Sequence, residues 1–152
     1  MEALAVSGQE DVIGTEEKGG DPIYASIRDY WDWAKTGLEE ILAENAQLTF
    51  IPEDVFASCV SGQAHFWVAP EGFVITSKEV DEFTNDQTFL FWLAWAEERG
   101  QSCVIKYYSF FEQVARDAGY KKIEVRTAVN ALEPYLLTEG WTKETVVYTR
   151  KL

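Results

Sequence analysis

The sequence predicts an α+β fold, in which a mixed and mostly antiparallel sheet carries helices on both faces. Helical spacing of apolar residues dominates the first part of the chain and changes to strand-like alternation near residue 64. The run Thr88–Trp95 is too apolar for a strand with one exposed face. A helix and another strand follow it, which is the order of a parallel pair joined by a crossover. With 152 residues, the chain has the length of one ordinary domain.

Two helices are expected first. Asp21 and Pro22 form a typical helix start, and apolar residues then recur at three- and four-residue steps over residues 23–45, with a break near Gly37. A second, shorter helix is expected to begin at Pro52, run to Val60 and end at Gly62.

The strands follow. Ala64–Val68 and Phe73–Thr76 flank a Pro-Glu-Gly turn at residues 70–72 and predict a hairpin. Thr88–Trp95 is expected to be the central strand, and Lys121–Val129 a strand parallel to it.

The last helices alternate with strands. A helix is predicted over residues 102–118, where Val104, Tyr107 and Phe111 lie on its apolar stripe and Gly119 stops it. A short helix over Asn130–Thr138 and a β-branched closing strand over Trp141–Lys151 complete the chain.

Residues 1–20 form a separate unit, an extended acidic arm that precedes a single domain over residues 21–152. The arm contains four glycines, five acidic residues and one basic residue, without helical or strand periodicity. Such a segment cannot form a core alone, and we expect another protein chain to order it, either a second copy or a larger assembly.

Charge and composition exclude several functions. Residues 1–98 carry a net charge of −16 and residues 99–152 a net charge of +3. A chain at −13 overall is repelled by phosphate backbones, so nucleic-acid binding is disfavoured. No apolar run is long enough to span a membrane, and residues 1–20 lack the pattern of a secretory signal. The acidic residues of the first 98 positions either form a solvated face or attract a cationic substrate or partner.

The two cysteines are far apart and match no metal spacing, so no metal site is expected and a reducing compartment is the simplest interpretation. Cys103 lies at a predicted helix start, where its thiol pKa could be lowered. Two interpretations remain open: Cys103 and His65, the only histidine, form a nucleophilic pair, or each of them has a purely structural role.

The second half of the chain resembles the GNAT acetyltransferases. The resemblance rests on Arg99-Gly100 before a helix, on Gly119-Tyr120 after it, and on a strand, a short helix and Gly140-Trp141 beyond. It implies a three-layer fold whose central parallel strands splay apart, near Ala96 and Ile123, to seat acetyl-CoA.

The resemblance also implies a cofactor loop, in which backbone amides at the helix start hold the pyrophosphate. The loop residues would be Arg99, Gly100, Gln101, Ser102, Cys103 and Val104, together with Asn130. Ser102 and Val104 stand at the two glycine positions, and the β-branched Val104 is expected to obstruct the phosphates. The loop is therefore degenerate, and no cofactor is expected unless the protein is active, in which case the cofactor is acetyl-CoA.

The implied catalytic residues are Glu97 and Glu98 as bases and Tyr135 as the acid that protonates the leaving thiolate. The family's tyrosine position is occupied by Leu136, beside Tyr135. The family's asparagine position is occupied by Val129, beside Asn130. A shift of one residue on a helix turns a side chain by about 100 degrees.

A closer likeness is to small GNAT-like proteins of tailed bacteriophages, carried by the segments Gly62–Trp67, Val74–Thr76 and Val114–Val125. It implies a weakly catalytic or non-catalytic binding protein, located in the host cytoplasm or the virion. The alternative is an active acetyl-CoA-dependent N-acetyltransferase, which Arg99-Gly100 and the basic second half favour.

Overall fold

The computed structural model describes residues 20–98, 100, 102–127 and 130–152, and of Asn130 only the backbone. The strands are β1 (Ile23–Ala25), β2 (Ala64–Val68), β3 (Gly72–Val80), β4 (Gln87–Ala96) and β5 (Lys122–Val125). The helices are α1 (Trp31–Glu44), α2 (Pro52–Val60), α3 (Cys103–Asp117) and α4 (Glu133–Thr138), with short 3-10 helices at Ile27–Tyr30 and Asn130–Leu132.

The described strands form one sheet in the order β1-β2-β3-β4-β5. The first four strands pair antiparallel, and β4 pairs parallel with β5 through α3. The strand predicted from the apolar run, β4, lies in the sheet interior, while β3 occupies the middle of the five strands. The predicted mixed sheet is therefore confirmed.

Helices cover both faces of this sheet. One core half packs α1 and α2 against Phe66, Phe73 and Trp95, and the other packs α3 against Val74 and Phe91. The register between β3 and β4 shifts by one residue between Ile75 and Thr76. This bulge sets Phe91 and Ala94 on the same α3-facing side, although they are three positions apart, a spacing that places residues of a regular strand on opposite faces.

The helix predicted from Asp21-Pro22 is wrong in its first part. Ile23–Ala25 instead forms edge strand β1, paired with Phe66–Val68, and the Tyr24 ring packs on Trp67. Ser26 then starts the 3-10 helix by accepting a hydrogen bond from the Arg28 amide at 3.3 Å. Pairing with β2 prevails over the local capping signal, and the α-helix begins only at Trp31.

The parallel pair separates later than expected. Ile123 lies within the ladder opposite Phe89, and the last described pair joins Phe91 to Val125. β4 continues to Ala96, whereas β5 ends at Val125, so the strands part beyond this pair. Ala128 and Val129, the end of the predicted strand, lie outside the described residues.

The closing strand predicted over Trp141–Lys151 is wrong, because these residues carry no strand. Trp141 turns inward to pack its ring against Phe91 and Tyr108. Glu144 then forms an ion pair with Lys122, the first residue of β5. No helix in the described part of the chain is long and apolar enough to cross a membrane.

Candidate functional site

The start of α3 lies beside the carboxyl end of β4. Ser102 is its N-cap, and the Ser102 Oγ accepts a hydrogen bond from the Ile105 amide at 3.2 Å. The amides of Cys103 and Val104, the first two of the helix, have no acceptor within their own helix. Gly100 precedes them with a φ of +87°, which glycine adopts without strain, and a Cβ there would meet open space. The start of a helix generally attracts an anion through its first backbone amides.

The expectation that Val104 obstructs this end is wrong. Val104 is 1% exposed, and its side chain lies in the core beside Tyr107 and Phe111. Cys103 is 2% exposed, so both residues are buried together with their backbone.

Cys103 also points into the core. Its Sγ donates to the carbonyl of Trp95 at 3.7 Å, and burial raises its thiol pKa. His65 lies on β2, where its ring contacts Tyr24. No contact among the described residues joins Cys103 to His65, so the structure gives no support to a nucleophilic pair.

A carboxylate absent from the sequence predictions lies at the first turn of α3. Glu71, in the β2–β3 turn, accepts a hydrogen bond from Tyr107 Oη at 2.5 Å and one from the Lys106 ammonium. Burial raises the pKa of Glu71, but these two bonds and the Lys106 charge outweigh it and hold the pKa below its ordinary value. The turn residues Pro70-Glu71-Gly72 signalled only a turn, so the sequence offered no sign of this role.

The candidate base Glu97 is joined to helix α1. Trp33 Nε1 donates to Glu97 Oε2 at 2.7 Å, and Trp95 Nε1 donates to Glu40 Oε1 at 2.9 Å. Gly37 permits this approach, because a Cβ there would lie 2.5 Å from the Trp95 ring. α1 is therefore continuous through Gly37, where a break was expected. Neither tryptophan–glutamate pair was foreseen from the sequence.

The structure places Glu97 and the start of α3 at the same end of the sheet. The Glu97 amide donates to the Glu71 carbonyl at 2.9 Å, and the Glu71 carboxylate meets the first turn of α3. Glu98 is exposed in the bend after β4.

The candidate acid Tyr135 is not joined to this cluster by any described contact. Its side chain is 62% exposed on α4, whereas the neighbouring Leu136 is half-buried. α4 is tied to α3 instead by the hydrogen bond from Tyr108 Oη to Glu139. The backbone of Asn130 begins the 3-10 helix before α4.

Three predicted positions, Arg99, Gln101 and Val129, lie outside the described residues. Among the residues that are described, no group of three or more His, Cys, Asp or Glu side chains has the arrangement of a metal site.

Comparison with known proteins gives a likeness in structure alone. The sequence matches no protein-family model, and no curated protein matches it. A Pyrococcus furiosus protein assigned as an acetyl transferase aligns with a TM-score of 0.66 at 18% identity, over 87% of this chain and 100% of that one.

Two other solved structures are similar. The ribosomal-protein-alanine N-acetyltransferase of Brucella melitensis biovar Abortus 2308 has a TM-score of 0.61 at 15% identity, over 87% of this chain and 98% of its own. The glucosamine-6-phosphate N-acetyltransferase of Arabidopsis thaliana has a TM-score of 0.61 at 12% identity, over 86% of this chain and 97% of its own. At such identities a likeness establishes architecture and not activity. The chain therefore has the GNAT fold of these acetyltransferases.

Proposed function

We propose that this protein binds coenzyme A or acetyl-CoA at the start of α3 and transfers the acetyl group weakly or not at all. The observation that carries the proposal is that helix α3 begins beside the carboxyl end of β4, with the Val104 side chain packed into the core, because the start of a helix attracts an anion such as a pyrophosphate. The fold supports the same assignment, since the similar structures are of acetyltransferases.

The residues at this end fit the cofactor. The Ser102 hydroxyl and the positive end of the α3 dipole would hold its phosphates, and Gly100 would let them approach the backbone. When bound, acetyl-CoA supplies an acetyl thioester that an amine can attack. Lys106 adds positive charge at the first turn of α3, and Glu71 offsets much of that charge.

Weak transfer is proposed because the acid is missing. The position that the family gives to a tyrosine holds Leu136, and Tyr135 is directed largely to solvent. A departing thiolate would therefore lack a side chain to donate its proton. The degeneracy that we propose therefore lies at the acid position on α4.

An active N-acetyltransferase is the second candidate, and Glu97 favours it. This carboxylate lies at the end of β4, close to the start of α3, and is oriented by Trp33. In that case Glu97 would take a proton from the acceptor amine, directly or through water.

Calorimetry with CoA and acetyl-CoA tests the proposal. Ser102→Asp keeps a side chain that caps helices well but sets a negative charge against the phosphates, so affinity is expected to fall about tenfold or more without loss of stability. The matched variant Ser102→Asn caps without charge and is expected to bind like the original protein. Absence of binding by the unaltered protein would overturn the proposal.

We also infer that the acidic arm engages another protein, and the phage-like pattern of the sequence makes a virion component the expected partner. Deleting residues 1–20 is expected to leave the thermal stability of the domain nearly unchanged while reducing co-purification with phage particles. Unfolding of the truncated protein would instead make the arm a structural part of the domain.

A further inference from the structure

The segment after Glu144 exposes a strand-like sequence to solvent. Thr145–Thr149 is rich in β-branched residues, and Val146, Val147 and Tyr148 are 55%, 76% and 90% exposed. Consecutive apolar side chains at such exposure are typical of an interaction surface.

The contacts of residues 141–144 show the direction of the chain as it enters this segment. Trp141 packs against Phe91, which pairs with Val125, and Glu144 pairs with Lys122 at 3.1 Å. Residues 141–144 therefore follow β5 in the opposite direction, from its last residue to its first. Residues 145–152 come after this contact, and none of them pairs with a described strand.

We propose that Thr145–Thr149 pairs antiparallel with the same segment of a second copy, across a twofold axis at Val147. Identical segments form a closed, self-complementary contact in this arrangement. It is independent of the acidic arm and of any cofactor.

The register centred on Val147 is favoured by the side chains that it sets opposite one another. Val146 faces Tyr148 of the second copy, an aliphatic–aromatic pair that stabilises antiparallel strands. Glu144 faces Arg150 of the second copy, and the twofold axis creates this opposite-charge pair twice. Lys143 would face Lys151, a like-charge pair that opposes this register. Both Lys143 and Glu144 have partners in their own chain, Glu133 at 3.4 Å and Lys122 at 3.1 Å, so neither charge is met by the second copy alone.

Sedimentation of charge variants tests this pairing. We expect the unaltered full chain to show a monomer–dimer equilibrium with a dissociation constant on the order of micromolar, as small interfaces do. Glu144→Arg sets like charges opposite Arg150, and Arg150→Glu sets like charges opposite Glu144, so each variant alone is expected to be monomeric. Mixing the two variants restores both opposite-charge pairs and is expected to restore dimers.

Glu144→Arg also removes the Glu144–Lys122 ion pair within one chain, but that pair is exposed and contributes little to stability. Restoration of dimers on mixing would therefore show that the charges act between two chains and not within one. A monomeric unaltered protein would overturn the proposal. Dimers that both charge variants retain, or variants whose mixture stays monomeric, would overturn it as well.

Cysteine crosslinking provides an independent readout. Opposed residues of paired strands have Cα atoms about 4.5–5.5 Å apart, within the range of a disulfide, so Val147→Cys is expected to form covalent dimers under mild oxidation. The matched control Thr149→Cys lies on the same exposed segment, but its two copies would be about 13 Å apart. Equal crosslinking of the two variants would contradict the register.

Discussion

The indole of Trp33 donates a 2.7 Å hydrogen bond to the carboxylate of Glu97, so helix α1 holds the residue that sequence reasoning nominates as a base. A second bond of the same kind runs from strand to helix, because the indole of Trp95 on β4 donates to the carboxylate of Glu40 on α1. The two indole rings lie 5.6 Å apart and nearly perpendicular. This packing fixes the position of α1 over the end of β4 and therefore the position of Glu97 beside α3.

Trp33→Phe is expected to lower the free energy of unfolding by about 1–2 kcal/mol, because it removes a hydrogen bond to a charged acceptor and keeps most of the ring. Glu97→Gln is the matched variant, since its amide oxygen still accepts from the indole. It is expected to keep stability and to abolish any acetyl transfer that the unaltered protein shows. Urea unfolding and a thiol-release assay check the pair. Equal destabilisation by both variants would contradict the role of the indole bond.

Glu71→Gln is expected to raise the affinity for CoA about three- to tenfold, because it removes a negative charge beside the first turn of α3 and releases the Lys106 ammonium. The glutamine still accepts from Tyr107. Lys106→Gln is expected to act in the opposite direction. Calorimetry at low salt measures both, and a loss of affinity in Glu71→Gln would contradict an anion site at this end.

Glu71 also predicts a pH dependence of stability. Its pKa in the folded protein lies below the ordinary value of 4.5, so its ionised form stabilises the fold above that pH. This contribution is lost as the pH falls through the lowered pKa. The unaltered protein is therefore expected to exceed Glu71→Gln in stability at pH 7, and the difference is expected to shrink toward pH 3. Urea midpoints at the two pH values check this, and a difference that grows toward pH 3 would contradict it.

Val104→Gly tests whether this position obstructs the cofactor. We expect a loss of about 2–4 kcal/mol in the free energy of unfolding, because the change empties a core position and places glycine in a helix. We expect no gain in CoA affinity. A clear gain would show that the side chain at residue 104 limits access to the amides.

Much of the fold follows from local patterns in the sequence. Pro52 begins α2 at the expected residue, and the apolar run at Thr88–Trp95 forms the two-sided strand β4. Ser102 and Gly119 bound α3 as capping and stop residues should. These features succeed because each depends on backbone chemistry or on burial within a few residues.

The failures depend on contacts between distant residues. Asp21-Pro22 resembles a helix start, but pairing with β2 decides the structure there. Val104 was expected to obstruct the phosphates because the family resemblance set it at a glycine position, although the apolar stripe of α3 already included it. The Glu71–Lys106 and Trp33–Glu97 contacts join residues 35 and 64 positions apart, and no local pattern announces either pair.

Titration of isotopically labelled protein with CoA, followed by amide chemical shifts, tests the cofactor site most directly. We expect the largest shifts at the amides of Ser102, Cys103 and Val104, saturating together, with much smaller shifts in Ser102→Asp. An unchanged spectrum, or shifts confined to residues away from the start of α3, would contradict a CoA site at this end of the sheet.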